Sequence, residues 1–177
     1  MSSFEDKQLN DILEEALNEH FQEQKEKPVI ISTGCSSIDE INFAIKELSD
    51  NGAKDVIILH CILNYPTENK NANLAMITDL IKSYPDHIIG YSDHTLPDKE
   101  MTSLISSYLL GAKVIEKHFT DDNSRVGPDH SFAMNPKSWA DMVNSVRELE
   151  LSFGDGIKRI EPNENETVII QRRALRL

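Results

Sequence analysis

The sequence predicts an α/β fold of four βα units with parallel strands, preceded by an extra N-terminal helix. Three observations carry that expectation. Short apolar runs recur four times, each of the length and composition of a strand buried on both faces. A stretch of helical periodicity follows each run. Two helix-ending glycines lead into the next strand in the same way, Gly52-Ala53-Lys54-Asp55-Val56-Ile57 and Gly111-Ala112-Lys113-Val114-Ile115. Strands and helices alternating with short connections fit a doubly wound sheet or a barrel, and four units taken alone are compatible with either.

The elements follow in order. Leu9, Ile12, Leu13, Ala16, Leu17 and Phe21 recur at helical spacing among many acids, so residues 1–27 read as an acidic amphipathic helix that ends before Lys27-Pro28. Val29-Ile30-Ile31-Ser32 is the first strand, closed by Thr33-Gly34. A helix from about Ser37 to Ser49 carries Ile38, Ile41, Ala44, Ile45 and Leu48 on one face and stops at Asn51-Gly52. Val56 to Cys61 is the second strand, with Asn73 as N-cap of the helix after it. His87 to Tyr91 is the third strand and Lys99 to Leu110 the third helix. Lys113 to His118 is the fourth strand; Asn135-Pro136 then opens a last helix, which stops at Gly154.

Composition excludes several classes of function. The chain has 177 residues, 39% of them hydrophobic, which reads as a soluble globular protein. It contains no apolar run near the roughly 20 residues that cross a bilayer. The acidic N-terminus lacks the basic and apolar regions of a secretory signal, making the cytoplasm the default location. A formal net charge of −12 argues against nucleic acid and anionic membrane as partners, since both need clustered Lys and Arg. Any anion site must therefore rely on hydroxyls, backbone N–H groups, a metal or a few lysines. Cys35 and Cys61 are too few and too far apart for a zinc site or a disulfide framework, and read as reduced thiols.

Polar residues gather where the strands end, the rim at which such folds collect their chemistry. The first strand ends in Ser32-Thr33-Gly34 and the second in His60-Cys61, with Asn64-Tyr65 just beyond. Ser92-Asp93-His94-Thr95 ends the third, and Glu116-Lys117-His118 the fourth. His94 and His118, on neighbouring strand ends, form a candidate partial metal site, because neutral imidazole suits manganese, zinc or iron and leaves positions open for substrate. The rival reading, satisfied core or surface histidines, is the commoner fate of a pair among six histidines. Ser32 and Ser92 are candidates to hold phosphate or carboxylate oxygens, or else they cap loops. Tyr65 and Asp129 sit in loops, where a ligand contact competes with a packed aromatic and a turn aspartate. Period-two alternation sends Lys117 to the face opposite Glu116 and His118, and His118 is expected to face inward. His60 reads as a core histidine bonded to backbone, and His20 and His87 as surface residues.

These blocks resemble the sialic acid synthase family: Ile31-Ser32-Thr33-Gly34; Leu59-His60-Cys61 with Tyr65-Pro66-Thr67; Gly90-Tyr91-Ser92-Asp93-His94-Thr95; Ile115-Glu116-Lys117-His118-Phe119-Thr120; and Gly127-Pro128-Asp129-His130. All five stand in the family's order. The resemblance implies that the four βα units are the second half of a (β/α)8 TIM-type barrel, where a complete barrel takes roughly 250 residues. It implies a homodimer and a metal-dependent transferase that condenses phosphoenolpyruvate with N-acetylmannosamine or a related amino sugar, releasing phosphate. By the same resemblance His94 and His118 bind Mn2+ or Mg2+, Ser32 and Ser92 contact phosphoenolpyruvate, and Tyr65 and Asp129 contact the sugar. Many relatives have a small polar residue where this chain has Leu63, and Asn64 beside it is the candidate substitute.

The resemblance also divides the chain. Residues 28–156 are the half-barrel, 1–27 fall outside the match, and 157–177 are a linker toward an antifreeze-like domain that the chain does not reach. Aligned in this way, the chain starts near the fifth barrel strand and lacks the strands bearing a catalytic carboxylate and phosphate-binding lysines. Activity is therefore expected to require a complementary first-half chain. The alternatives are a non-catalytic remnant or partner-binding half-barrel, and an unrelated metal-dependent aldolase or hydrolase.

Overall fold

Strands form where the apolar runs stand: β1 (Val29–Ser32), β2 (Val56–Cys61), β3 (Ile88–Asp93) and β4 (Val114–Lys117). The structure is a computed structural model and describes residues 27–172. The expected N-terminal helix and most of the basic run from Arg172 to Arg176 lie outside the described residues. The four strands make one parallel sheet in the order β1-β2-β3-β4, with Ser32 opposite Leu59, Cys61 opposite Ser92, and Asp93 opposite Lys117. A doubly wound sheet reverses direction at a switch point. Here the order never reverses, so same-handed crossovers bring every connecting helix to one face and leave the other face bare. That is the arrangement of half a (β/α)8 barrel, and it decides between the two architectures.

The helices are α1 (Ile38–Asp50), α2 (Ala75–Ser83), α3 (Thr102–Leu109) and α4 (Pro136–Phe153). Ser37 caps α1 through a reciprocal box: its hydroxyl accepts from the Glu40 amide, and the Glu40 carboxylate accepts from the Ser37 amide at 2.7 Å. Asn135 caps α4 by accepting from the Ser138 amide at 3.0 Å, with Pro136 as the first helical residue. Two helix starts differ from expectation. Asn73 does not cap α2 with its side chain; it takes a left-handed turn (φ 43°), which Asn tolerates better than most residues, and the helix begins at Ala75. Likewise α3 begins at Thr102 rather than Lys99, because Met101 is left-handed (φ 52°) and Asp98 accepts from the Thr102 amide at 2.9 Å.

The core lies between the sheet and its helices. Val56, Ile58, Ile89 and Tyr91 meet Ile41, Leu48, Ile77, Leu80 and Leu104, with Val29, Ile31 and Ile115 packed against them. Alternation then assigns Ile30, Ser32, Leu59, Cys61, Gly90, Ser92, Val114 and Glu116 to the opposite, inner face. Gly90 serves a close approach there: a Cβ would meet the Val114 carbonyl oxygen at 2.5 Å and collide with Leu59. Ile30 and Ile88 are 54% and 50% exposed on this face, as expected of a barrel lining whose opposing strands are not in the described chain.

His60 is a core histidine, as its position suggested. It is buried, lies 2.8 Å from the Ala72 carbonyl through Nε2, and stacks on Tyr91 with ring centroids 5.5 Å apart. Burial holds its pKa below the ordinary histidine value, opposed by the bond to Ala72. The unfolded chain takes up a proton near pH ~6.5 that the folded chain refuses, so this contribution is intact above that pH and is lost as the pH falls. The urea midpoint should drop on acidification from pH 7 to 5, and drop less steeply in His60→Gln. Parallel slopes for the two proteins would assign the effect to other groups.

The chain divides into two compact units, the first ending at Val146 and the second beginning at Arg147. In the second, Gly154 ends α4 in a left-handed turn (φ 58°), and Arg159 pairs with Asp155 and Glu161 at 2.6 and 3.1 Å. The span expected as a linker holds a 3-10 turn, Pro162–Glu164, and a short helix, α5 (Asn165–Gln171). Among the described residues no helix is long and apolar enough to cross a membrane.

Candidate active site

Alternation along β3 and β4 fixes the site's two faces. Lys117 points to the helix side, where its ammonium lies 2.9 Å from Asp93, and both side chains are essentially inaccessible (0% and 1%). Glu116 and Ser92, partners in register, face the inside, and the Ser92 hydroxyl donates to the Glu116 carboxylate at 2.5 Å. One residue past each strand end, His94 and His118 stand on that same inner side, with ring centroids 5.3 Å apart.

Three side chains from loops close around the pair. The Tyr65 ring lies 4.2 Å from His94 and 5.8 Å from His118, between centroids. Phe132, fully buried, packs on His118 at 4.9 Å and on Tyr65 at 6.0 Å. Asp129 Oδ2 is 3.6 Å from His118 Nδ1. Partial desolvation, reinforced by Cys61, Glu116 and Asp129 nearby, holds the Tyr65 phenol above its ordinary pKa. It therefore stays neutral and can donate a hydrogen bond.

The hydrogen bonding of His94 settles its tautomer. Nδ1 is 2.9 Å from the Ile62 carbonyl oxygen, which can only accept, so Nδ1 carries the proton and the Nε2 lone pair is free for a metal or ligand. Cys61 Sγ lies 3.7 Å from the same nitrogen. Two imidazoles with one ring nitrogen oriented by a carbonyl or carboxylate fit a borderline or hard divalent ion such as Mn2+, with further coordination positions left open. Among the described residues no group of three His, Cys, Asp or Glu comes close enough to enclose an ion. Any further ligands would come from water, substrate or groups outside the described residues.

The candidate residues do not all converge. His94, His118, Tyr65 and Asp129 form one cluster, with Ser92 just below it on β3. Asn64 is exposed in the loop before Tyr65. Ser32 stands apart at the end of β1, two strands from Ser92, and lines a separate cavity of about 240 Å3 with Thr33, Glu40 and Leu48. His87 is partly buried rather than a free surface residue, with Nδ1 3.0 Å from the Val56 carbonyl at the opposite end of the sheet. His20 lies outside the described residues.

Residues 10–158 match the model of the NeuB family. The chain belongs to the NeuB family. The matched span includes every candidate residue and begins inside the N-terminal segment that the sequence reading had left outside the resemblance. Among its NeuB relatives is an uncharacterized protein of Methanocaldococcus jannaschii, 45% identical over 149 residues, or 84% of this chain and 43% of that protein. The N,N'-diacetyllegionaminic acid synthase of Campylobacter jejuni is 35% identical over 151 residues, 84% of this chain and 44% of that enzyme. The crystal structure of an N-acetylneuraminic acid synthetase from Leptospira borgpetersenii superposes with a TM-score of 0.73 at 30% identity, covering 94% of this chain and 55% of the other. This NeuB chain thus spans less than half the length of these curated relatives.

Two residues of this NeuB site escaped the sequence reading. Glu116 was placed on the face of His118 by alternation but given no partner, although its register with Ser92 follows once β3 and β4 are neighbours. Phe132 carries no signal in sequence; the loop brings it back through a bridge between Phe119 and Met134.

Proposed function

We propose that this chain is the C-terminal half-barrel of a sialic-acid-type synthase, which condenses phosphoenolpyruvate with N-acetylmannosamine or a related N-acetylated amino sugar. A carbon–carbon bond forms between C3 of phosphoenolpyruvate and the aldehyde carbon of the open-chain sugar. Water adds at C2, and phosphate leaves with cleavage of the carbon–oxygen bond. The observation that carries the reading is the meeting of His94 and His118 on adjacent strand ends, with Tyr65 and Asp129 around them.

His94 and His118 would hold Mn2+ or Mg2+, whose chemistry when bound is Lewis-acid polarisation of the aldehyde oxygen. The neutral Tyr65 phenol donates to a sugar oxygen, and Asp129, half exposed beside His118, accepts from a sugar hydroxyl. Ser92 gives its hydroxyl to Glu116 until an anionic oxygen of phosphoenolpyruvate competes for it. Ser32, two strands from Ser92 and lining a separate cavity, would contact phosphoenolpyruvate only in a completed barrel, and Asn64 lies exposed in the loop before Tyr65. Phe132 and the imidazoles exclude water from the side where the bond forms.

A first half of the barrel would supply the rest. A complementary first-half chain, or a longer protein containing one, would cover the exposed Ile30 and Ile88, and two completed barrels would form the homodimer. The net charge of −12 leaves nucleic acid and anionic membrane out of this scheme, and the cytoplasm is its natural location. Coexpression with a first-half polypeptide should yield a complex that releases phosphate from phosphoenolpyruvate only when a suitable sugar is present. A stable complex inert with every N-acetylated hexosamine offered would favour a partner-binding half-barrel without catalysis.

A further inference from the structure

We propose that the buried Asp93–Lys117 pair is a positioning device that sets the separation and direction of the His94 and His118 imidazoles. The inference rests on the metal-site reading above but uses residues on the opposite face of the sheet. β3 ends at Asp93 and β4 at Lys117, so each imidazole is carried by the first residue beyond the strand ladder. The ladder pairs Asp93 with Lys117 but not His94 with His118; the His94 carbonyl accepts instead from the Thr67 amide and the His118 carbonyl from the Met134 amide, both at 2.8 Å, so the side-chain tie acts between two strand ends that are anchored to different segments.

Lys117 spans the gap. Its ammonium contacts Asp93 Oδ2 at 2.9 Å and also donates to the Thr95 carbonyl, so it grips the chain on both sides of His94. Being next to His118 in sequence, Lys117 transmits that grip to the second imidazole. Asp93 is itself held rigidly: Oδ1 accepts from the Tyr91 hydroxyl and the Thr95 amide, both at 2.9 Å. Its Oδ2 accepts from the Thr95 and Ser103 hydroxyls at 3.1 and 3.2 Å. Every polar atom is partnered, since among the described residues no buried side-chain nitrogen or oxygen lacks a hydrogen bond. An ion pair contributes little net stability in such a place compared with apolar packing of the same shape, whereas fixing a geometry is the better-attested use of a buried polar pair. Ligand orientation by a partner outside the coordination sphere is also what metal sites require.

The test uses the full chain and two readouts, Mn2+ titration followed by electron paramagnetic resonance, and the nuclear Overhauser contact between the His94 and His118 ring protons. In the double variant Asp93→Asn/Lys117→Met the amide can still bond Tyr91, Thr95 and Ser103, but the tie between strands is gone. Mn2+ affinity should fall tenfold or more and the ring contact should weaken or vanish. Lys117→Gln, which leaves the hydroxyl and amide donors to Asp93 in place but strands its carboxylate without a counter-ion, is harsher on folding and should move both readouts in the same direction in the fraction that folds. Leu104→Ala, which loosens the core without touching the tie, should leave both within twofold of the native chain. A folded double variant with native affinity and an intact ring contact would overturn the proposal. If the native chain takes up no Mn2+ at all, the metal reading fails, and the ring contact alone still decides whether Lys117 positions the imidazoles.

Discussion

Replacing either His94 or His118 by alanine is expected to weaken Mn2+ binding by at least about a hundredfold, since loss of a mere outer-sphere partner already costs ~10–100-fold. The two rings stand 5.3 Å apart on adjacent strand ends, and the protonated Nδ1 of His94 leaves its Nε2 free to coordinate. Among the described residues no three His, Cys, Asp or Glu side chains form an enclosing set, so the two imidazoles carry a large share of the binding. His87→Ala is the control, because that ring sits just before β3, at the opposite end of the sheet, bonded to the Val56 carbonyl. Titration of the three variants in parallel checks the assignment; equal affinities would remove the two histidines from the metal site.

The second large effect concerns stability. Asp93→Ala leaves the Lys117 ammonium buried without its counter-ion and strips the Tyr91, Thr95 and Ser103 hydroxyls of an acceptor. Breaking a buried pair on one side destabilises by about 3–5 kcal/mol. Domains of this size hold only about 5–15 kcal/mol in total, so the variant should unfold at a much lower urea concentration. In the native chain burial first, and then the Asp93 carboxylate, push the Tyr91 phenol well above its ordinary pKa. Asp93→Asn, which keeps an acceptor, should fall between the two. A urea midpoint for Asp93→Ala within experimental scatter of the native value would mean that Lys117 finds water or another partner on the helix side.

Much of this was legible because the relevant forces are local. Apolar runs placed all four strands, the Asn135-Pro136 cap placed one helix start, and the five ordered blocks placed the family. The failures were local too. Asn73 and Met101 adopt left-handed turns that compete with helix initiation, and propensity alone does not tell a capping Asn from a turning one. Pairwise matches at the rim were less visible: the Ser92–Glu116 bond, the Phe132 ring on His118 and the separation of Ser32 from the cluster all depend on which strands are neighbours.

By itself the sequence determined which side chains share a face. Successive residues of a strand point to opposite sides whatever the strand packs against, so His118 and Lys117 were bound to part company. Only the tertiary structure decided what each side chain meets there. The order of the strands and the return of the loops are set by contacts between residues far apart in the chain, and these alone put Tyr65 against both imidazoles and Lys117 against Asp93.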